Sequence, residues 1–437
     1  MNQVIQSSLK GSAIKSGSAI IALALKNMGV KRVFLFPGGT IAPLLDELVK
    51  IEIEYICLRH EQGAGFAAIG AAKETNFPQV VIVSSGPGVT NLVTCIADAF
   101  YDSVPILALT GQVQTDDINK EKKLRQTGFQ ETDVVGIMKS ISKKASVLTE
   151  TDNLYTKVCE SFELTLSDRK GPVVIDMPMD VQKKEFKTAS TETKKIERPA
   201  TKVTLIKDFK NKNRQLNKYL SKSKRPLILA GNGIYLSDSV KGFRRFSNIA
   251  NIPIVLSLPA IGCIQKSNKN TVGLIGHTGE LYANLALYHC DLLICLGARL
   301  DLRQTGTELK AFVKNKSIVR VDIDEKELTY GRVLGDLNFN LGLSDFFKHV
   351  EVAAPKEENQ RNWRQQIKVW KKEYNSTQFY SSDKITVPKV VDYFSKLTKD
   401  LKVSVSTGVG THQQLSARYF DFNYPTRKWQ TSSGHGT

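Results

Sequence analysis

Short apolar runs that end in glycine turns, with helical stripes between them, constrain this chain most. Val33–Phe36 runs into Pro37-Gly38-Gly39, and Val80–Val83 runs into Ser84-Ser85-Gly86-Pro87-Gly88. Around these turns, Ala19, Ile20, Leu23, Ala24 and Leu25 recur at helical spacing. Ile41–Val49, Gly63–Ala72 and Val89–Phe100 also read as helices. Tyr55–Leu58, Ile106–Leu109 and Val173–Asp176 read as further strands. Continuous apolar strands need cover on both faces, and alternation with helices supplies it in a parallel sheet. The expected fold class is therefore α/β, with successive doubly wound parallel-sheet domains.

At roughly 100–200 residues per domain, 437 residues predict two to four domains. The polar, Lys- and Thr-rich stretch 182–212 reads as a linker. Beyond it, Leu227–Ala230, Ile254–Ser257, Leu292–Leu296 and Ile318–Asp322 read as a second set of strands. A second linker is expected at Ala353–Asn359. A third block opens near Arg361, with helices at Trp363–Tyr374, Val387–Leu397 and His412–Phe420, a strand at Val403–Ser406, and a glycine loop from Trp429 to Thr437. The expected domains are 1–182, 203–352 and 361–437. A domain needs on the order of 100 residues to enclose a core, and an open sheet edge is a liability. The third block is therefore expected to be incomplete and its domain to continue beyond Thr437.

The net charge of +18 raises the prospect of anionic partners. The basic residues are scattered, as in Lys183, Lys184, Lys194, Lys195, Lys222 and Lys224, and no nucleic-acid module is recognisable. Solvated lysine explains the charge better than a nucleic-acid partner. No apolar run approaches the roughly 18 residues of a membrane span, and no signal peptide is recognisable at the N-terminus, so a cytoplasmic protein is expected. Six cysteines without a CxxC pair read as small core residues in a reducing compartment.

Arg59-His60-Glu61-Gln62-Gly63 stands where a strand gives way to a helix of small residues. Alone, Glu61 is a first-turn acid favoured by the helix dipole. Two glycine turns at other strand C-termini converge with it, and ligands of parallel sheets sit at strand C-termini. The small residues Gly63, Ala64, Gly65 and Ala67 would let this helix approach a ligand or partner closely.

The segments Phe34–Leu48, Arg59–Ala72, Ser84–Val113, Phe129–Ile137 and Gly171–Val181 together resemble the pyrimidine-binding domain of thiamine-diphosphate enzymes, in particular acetolactate (acetohydroxyacid) synthase large subunits. The second block resembles that family's central domain through Gly231-Asn-Gly233, Gly297–Arg303 and Asp322-Ile-Asp324. The third resembles the start of its diphosphate-binding domain through Thr407–Gln413 and Thr431–Thr437. The resemblance implies that the Glu61 carboxyl hydrogen-bonds the aminopyrimidine N1′ of thiamine diphosphate, so that the cofactor can lose its C2 proton and attack a 2-keto acid. It further implies that Pro37, Gly38, Ser84, Pro87 and Asn91 line the pyrimidine pocket. Gly410, His412, Gln413 and Gly434 would face the diphosphate. Gln130 would orient substrate, beside Phe129, for which ordinary packing is an equal explanation. Arg303 would meet a second substrate's carboxylate, a task suited to a guanidinium; a surface ion pair is the alternative.

The chain departs from the family at several points. Gly408 and Thr411 replace an acid and a glutamine, His277 replaces a methionine, and Leu300 and Leu302 replace an aromatic and an acid in the central stretch that contacts FAD. The changes in that central stretch argue against bound FAD. The segment from Val113 to Phe129 carries Lys120, Lys122, Lys123 and Arg125 and suits either a larger or anionic second substrate or a solvated loop. No metal ligand is identified within the sequence; the Gly-Asp-Gly…Asn motif for Mg2+ would follow Thr437, so these residues alone are expected to bind the cofactor poorly and to be inactive. The expectation is a carboligase acting on a 2-keto acid, as a homodimer or homotetramer, since the family's cofactor lies between subunits. The competing expectations are a non-catalytic, degenerate or truncated relative, and a basic nucleic-acid-binding protein whose binding would be strongly salt-dependent.

Overall fold

The computed structural model describes residues 14–119, 121, 123–187, 205–375 and 383–436. The chain divides into two units, Met1–Ala200 and Thr201–Thr437, each carrying a six-stranded parallel sheet.

In the first unit the strands are β2 (Arg32–Leu35), β3 (Glu54–Cys57), β4 (Gln79–Val83), β5 (Ile106–Gln112), β6 (Lys144–Val147) and β7 (Val173–Pro178), after a short β1 (Ile14–Ser16). Their order is β3-β2-β4-β5-β7-β6. The helices between them are α1 (Gly17–Asn27), α2 (Ala42–Lys50), α3 (Glu61–Thr75), α4 (Pro87–Tyr101), α5 (Val134–Met138) and α6 (Leu154–Leu166). Strand alternation feeds two cores. Val80, Ile82, Leu107 and Leu109 enter one, and Val81, Val83, Ile106 and Ala108 enter the other. This is the double cover that the apolar strands require. Asn153 starts α6 by accepting from Thr156 N–H at 3.1 Å, and Ser16 starts α1 by accepting from Ala19 N–H at 3.2 Å.

The chain runs from β2 outward to β3, then returns to the other side of β2 for β4. The topological switch point therefore lies between the C-terminal ends of β2 and β4, where open α/β sheets bind ligands. Pro37-Gly38-Gly39 and Ser84–Gly88 leave the sheet at that point.

Several details differ from the sequence reading. Part of the expected linker is structured: Gln182 is fully buried in α7 (Met179–Lys183), and β8 (Glu185–Lys187) pairs antiparallel with β1. A helix from Leu205 to Lys222 occupies the linker's far end, while 188–204 lie outside the described residues. Five cysteines are buried, but Cys57 is exposed, because Tyr55 and Cys57 share the outward face of edge strand β3.

In the second unit the sheet comprises β9 (Pro226–Ala230), β10 (Ile254–Leu256), β11 (Thr271–Leu274), β12 (Leu292–Leu296), β13 (Ser317–Asp322) and β14 (Leu337–Asn340), in the order β11-β10-β9-β12-β13-β14. The short strands β11 and β14 at its edges are weakly marked in the sequence. The helix Glu357–Glu373 begins inside the expected second linker, and its apolar face lies on this central sheet. Trp363 is 2% exposed, packs with Leu227, Leu229 and Leu293, and donates its indole N–H to Pro226 O at 3.1 Å. Helix 387–397, helix 411–419 and the parallel pair β15 (Val403–Thr407) and β16 (Arg427–Thr431) follow. Trp429–Thr431, which read as loop in the sequence, thus belong to a strand. Among the described residues, no helix is long and apolar enough to cross a membrane.

Replacing Trp363 with Ala should lower the unfolding free energy of the second unit by about 3–5 kcal/mol. Denaturant unfolding followed by circular dichroism measures this. A loss below about 1 kcal/mol would show that the helix does not seal the sheet.

Candidate functional site

Glu61 occupies the first turn of α3, directly after the cap residue His60, whose Nδ1 accepts from Gln62 N–H at 3.1 Å. The buried face of α3 reads Glu61, Ala64, Gly65, Ala68, Ile69 and Ala72, a helical stripe that presses on α4. A Cβ at position 65 would fall 2.6 Å from Cys95 Cβ, so glycine is what permits this approach. The Cys95 thiol donates to Gln62 O at 3.0 Å, and burial pushes its pKa up to about 12, so it acts as a packing group. The approach brings Asn91 of α4 to Glu61, and its Nδ2 donates to Oε2 at 3.0 Å. Glu61 is 7% exposed, and no described residue donates to its Oε1. Gly88 faces that oxygen; a Cβ there would stand 3.6 Å away.

The turns at the switch point are tied together. Gly38 lies against Ser84, with room for no Cβ. Thr40 Oγ1 is 2.8 Å from Ser84 Oγ and accepts from Ser85 N–H at 3.0 Å. Ser85 is 1% exposed, and its hydroxyl has no partner among the described residues. Gly86 has φ +61°, a left-handed conformation suited to glycine, and passes the chain into α4 at Pro87, which is exposed. Gln130, itself at φ +66°, covers this turn: a Cβ at 86 would fall 3.0 Å from Gln130 Cβ. The structure thus brings Glu61, Asn91, Gly38, Ser84 and Gln130 together. Pro37 is exposed on its turn. Phe129 is 87% exposed, so packing among the described residues does not account for it.

Three residues at this end of the sheet carried no signal of their own in the sequence: Thr40, Gln112 and Asp176. Asp176 is 1% exposed in β7. Its Oδ1 accepts from Thr110 Oγ1 at 2.6 Å and its Oδ2 from Gln112 Nε2 at 2.9 Å. Burial raises the pKa of its carboxyl to about 7; the two hydrogen bonds oppose the rise and nearby Asp133 adds to it.

Arg303, Gly410, His412, Gln413 and Gly434 belong to the second unit. Arg303 is exposed, its carbonyl accepts from His277 N–H at 3.1 Å, and its own N–H is held by Asp301 Oδ1 at 2.9 Å. The His412 ring folds back over the glycine loop at the start of helix 411–419, so that a Cβ on Gly410 would lie 3.1 Å from its Cε1. Gln413 is 3% exposed and donates to Thr431 Oγ1 at 2.6 Å and Ser432 O at 3.0 Å. It thereby fixes the segment leading to Gly434. Among the described residues no three His, Cys, Asp or Glu side chains converge as a metal site.

Residues 15–137 match the N-terminal TPP-binding domain of thiamine pyrophosphate enzymes, and residues 214–339 match the central domain of the same enzymes. The chain is 33% identical over 432 residues to the acetolactate synthase large subunit of Buchnera aphidicola subsp. Schizaphis graminum, covering 97% of this chain and 73% of that protein. It is 35% identical to the acetolactate synthase large subunit of Cyanidium caldarium, with 98% and 73% covered. It is 33% identical to the acetolactate synthase isozyme 2 large subunit of Escherichia coli (strain K12), with 97% and 73% covered. The chain belongs to the acetolactate synthase large-subunit family of thiamine-pyrophosphate enzymes.

The raised Asp176 carboxyl has a consequence for stability. It holds its proton more tightly folded than unfolded, so its stabilising contribution is full below the ordinary carboxylate range and is lost as pH climbs through about 7. Between about pH 5 and about pH 8 the melting temperature of the first unit should fall more steeply in the native protein than in Asp176→Asn. Parallel pH profiles from thermal melts would contradict this.

Proposed function

We propose that this protein binds thiamine diphosphate at the β2/β4 switch point, decarboxylates a 2-keto acid, pyruvate, and joins the two-carbon product to a second carbonyl compound. The observation that carries this reading is the Glu61 carboxyl, with Oε2 held by Asn91 and Oε1 left open beside Gly88. A buried carboxyl with one oxygen available suits a heterocyclic ring nitrogen that shares a proton. The tight glycine turns and the unpartnered Ser85 hydroxyl suit a flat polar ring. When bound, thiamine diphosphate supplies the nucleophilic carbon and the electron sink for decarboxylation.

The chain's own residues supply position and proton control. Glu61 holds the shared proton at Oε1, and Asn91 fixes the carboxylate plane. The apolar faces of α3 and α4 keep water from that carboxylate, which strengthens the hydrogen bond it makes. Gln130 presents a carboxamide to orient the keto acid. The exposed Arg303 guanidinium suits a substrate carboxylate, which it binds bidentately. Gly410, His412 and Gly434 are assigned to the diphosphate, next to the N-terminus of helix 411–419. Mg2+ would neutralise that diphosphate. The assembly is a homodimer or homotetramer. The buried Glu61–Asn91 pair, with one carboxylate oxygen open, argues against a degenerate, non-catalytic relative.

Glu61→Gln in the full-length protein should lower pyruvate turnover by roughly 100-fold or more, the range for losing a proton-transfer group. Pyruvate consumption and the thiamine diphosphate Kd, read by fluorescence quenching, test it together. Undiminished turnover with cofactor bound would contradict the assignment.

A further inference from the structure

Gln112 ends β5 at a place where all of its side-chain bonds are visible. It is 2% exposed. Its Nε2 donates to Asp176 Oδ2 at 2.9 Å and to Thr132 O at 2.9 Å, and its Oε1 accepts from Val113 N–H at 3.0 Å. Both N–H bonds of one amide are therefore directed, one into the sheet and one into the loop that follows Gln130. Asp176 supplies the fixed end, because Thr110 holds its other oxygen. The loop end is reinforced locally: Thr132 O also accepts from Val134 N–H at 2.8 Å, and Asp133 caps α5 by accepting from Gly136 N–H at 3.0 Å.

Gln130 is the third residue of a tight turn that Glu131 N–H closes on Gly128 O at 3.0 Å. Its φ of +66° is uncommon for a residue other than glycine. Its side chain and carbonyl lie on the Gly86 turn, two residues from the glycine that faces Glu61. On the other side of the loop, Gly128 N–H bonds Asp117 O at 3.0 Å, and the Glu131 carboxylate accepts from Asn119 N–H at 2.7 Å and Thr127 N–H at 2.6 Å. Those contacts close the basic loop upon itself. The bond from Gln112 to Thr132 O, by contrast, ties this segment to the sheet.

We propose that Gln112, oriented by Asp176, is the positioning residue that sets Gln130 over the Gly86 turn. Gln112 acts through the backbone at Thr132 and touches neither substrate nor cofactor. The inference deepens the function proposed above, since it rests on Gln130 being the substrate-orienting group. Its structural content can be tested without turnover.

The experiment is amide hydrogen exchange on the full chain, comparing native protein with Gln112→Asn, Gln112→Met and Asp176→Asn. The shorter side chain of the Gln112→Asn variant cannot span both partners, and the thioether of Gln112→Met has no donors. Both substitutions should speed exchange in 128–134 by roughly tenfold while β4 and the central residues of β7 stay as protected as before. Asp176→Asn should leave 128–134 unchanged, because its amide oxygen still accepts from Gln112 and its amide nitrogen can donate to Thr110. Gln112→Asn keeps a buried amide, so it remains informative should the Met variant fail to fold. Native exchange in 128–134 with Gln112→Asn, or loosening spread evenly through β5 and β7, would overturn the proposal. Because this readout needs neither pyruvate nor cofactor, its failure would leave the Glu61 reading standing, whereas failure of that reading would leave the tie from Gln112 to the Gln130 loop in place and remove only its role in orienting substrate.

Discussion

The distance between two helices sets the chemistry of this site. Helices α3 and α4 approach closely because Gly65 offers no side chain to Cys95 and Leu92. That approach brings the Asn91 amide to a Glu61 carboxylate that is nearly sealed from solvent. A carboxylate in such a place is costly unless its oxygens are satisfied. Asn91 satisfies one, and no described residue donates to the other. Shift α4 outward and the pair separates; the glutamate would then be one more first-turn acid.

The remaining parts serve that arrangement from the sheet. The β2 and β4 turns meet at the switch point, and Thr40 fastens them by bonding both Ser84 and Ser85. Gly111 makes room for Thr40, since a Cβ there would fall 2.2 Å from its hydroxyl. Gln182 then donates to the Thr40 carbonyl at 2.8 Å, linking α7 to the same turn. Across the strand ends, Asp176 and Gln112 extend the order to the loop bearing Gln130. The tied turns, the Gln130 loop and the Glu61 oxygen beside Gly88 thus meet at one end of the sheet. This is the kind of preorganisation that lets a protein tune a cofactor's chemistry.

Much of this was legible in the sequence, and the reasons are physical. The long buried strands and their helices announced themselves by apolar continuity and period. Glu61, Ser84, Asn91 and Gln130 were legible through motifs that stand in order along the chain. The edge strands β6, β11 and β14 were not, because each is only four residues long and interleaves polar with apolar positions, as at Lys144, Thr271 and Asn338. The strand Glu185–Lys187 was hidden in a charged tract, since a two-stranded pair needs only backbone bonds. Helix 357–373 looked like polar linker and outlying helix, yet two buried residues, Trp363 and Ile367, anchor it to the central sheet. Thr40, Gln112 and Asp176 escaped notice for another reason. Their roles come from contacts between residues tens of positions apart, which no local spacing records.

The central claim is that Glu61 Oε1 shares a proton with the aminopyrimidine ring of thiamine diphosphate. The most direct measurement is the nitrogen-15 resonance of N1′ in labelled cofactor bound to the full-length protein and to its Glu61→Gln variant. The expected result is a bound N1′ shifted toward the protonated form in the native protein and returning toward the free position in the variant. An N1′ resonance at the free-cofactor position in both proteins would contradict it.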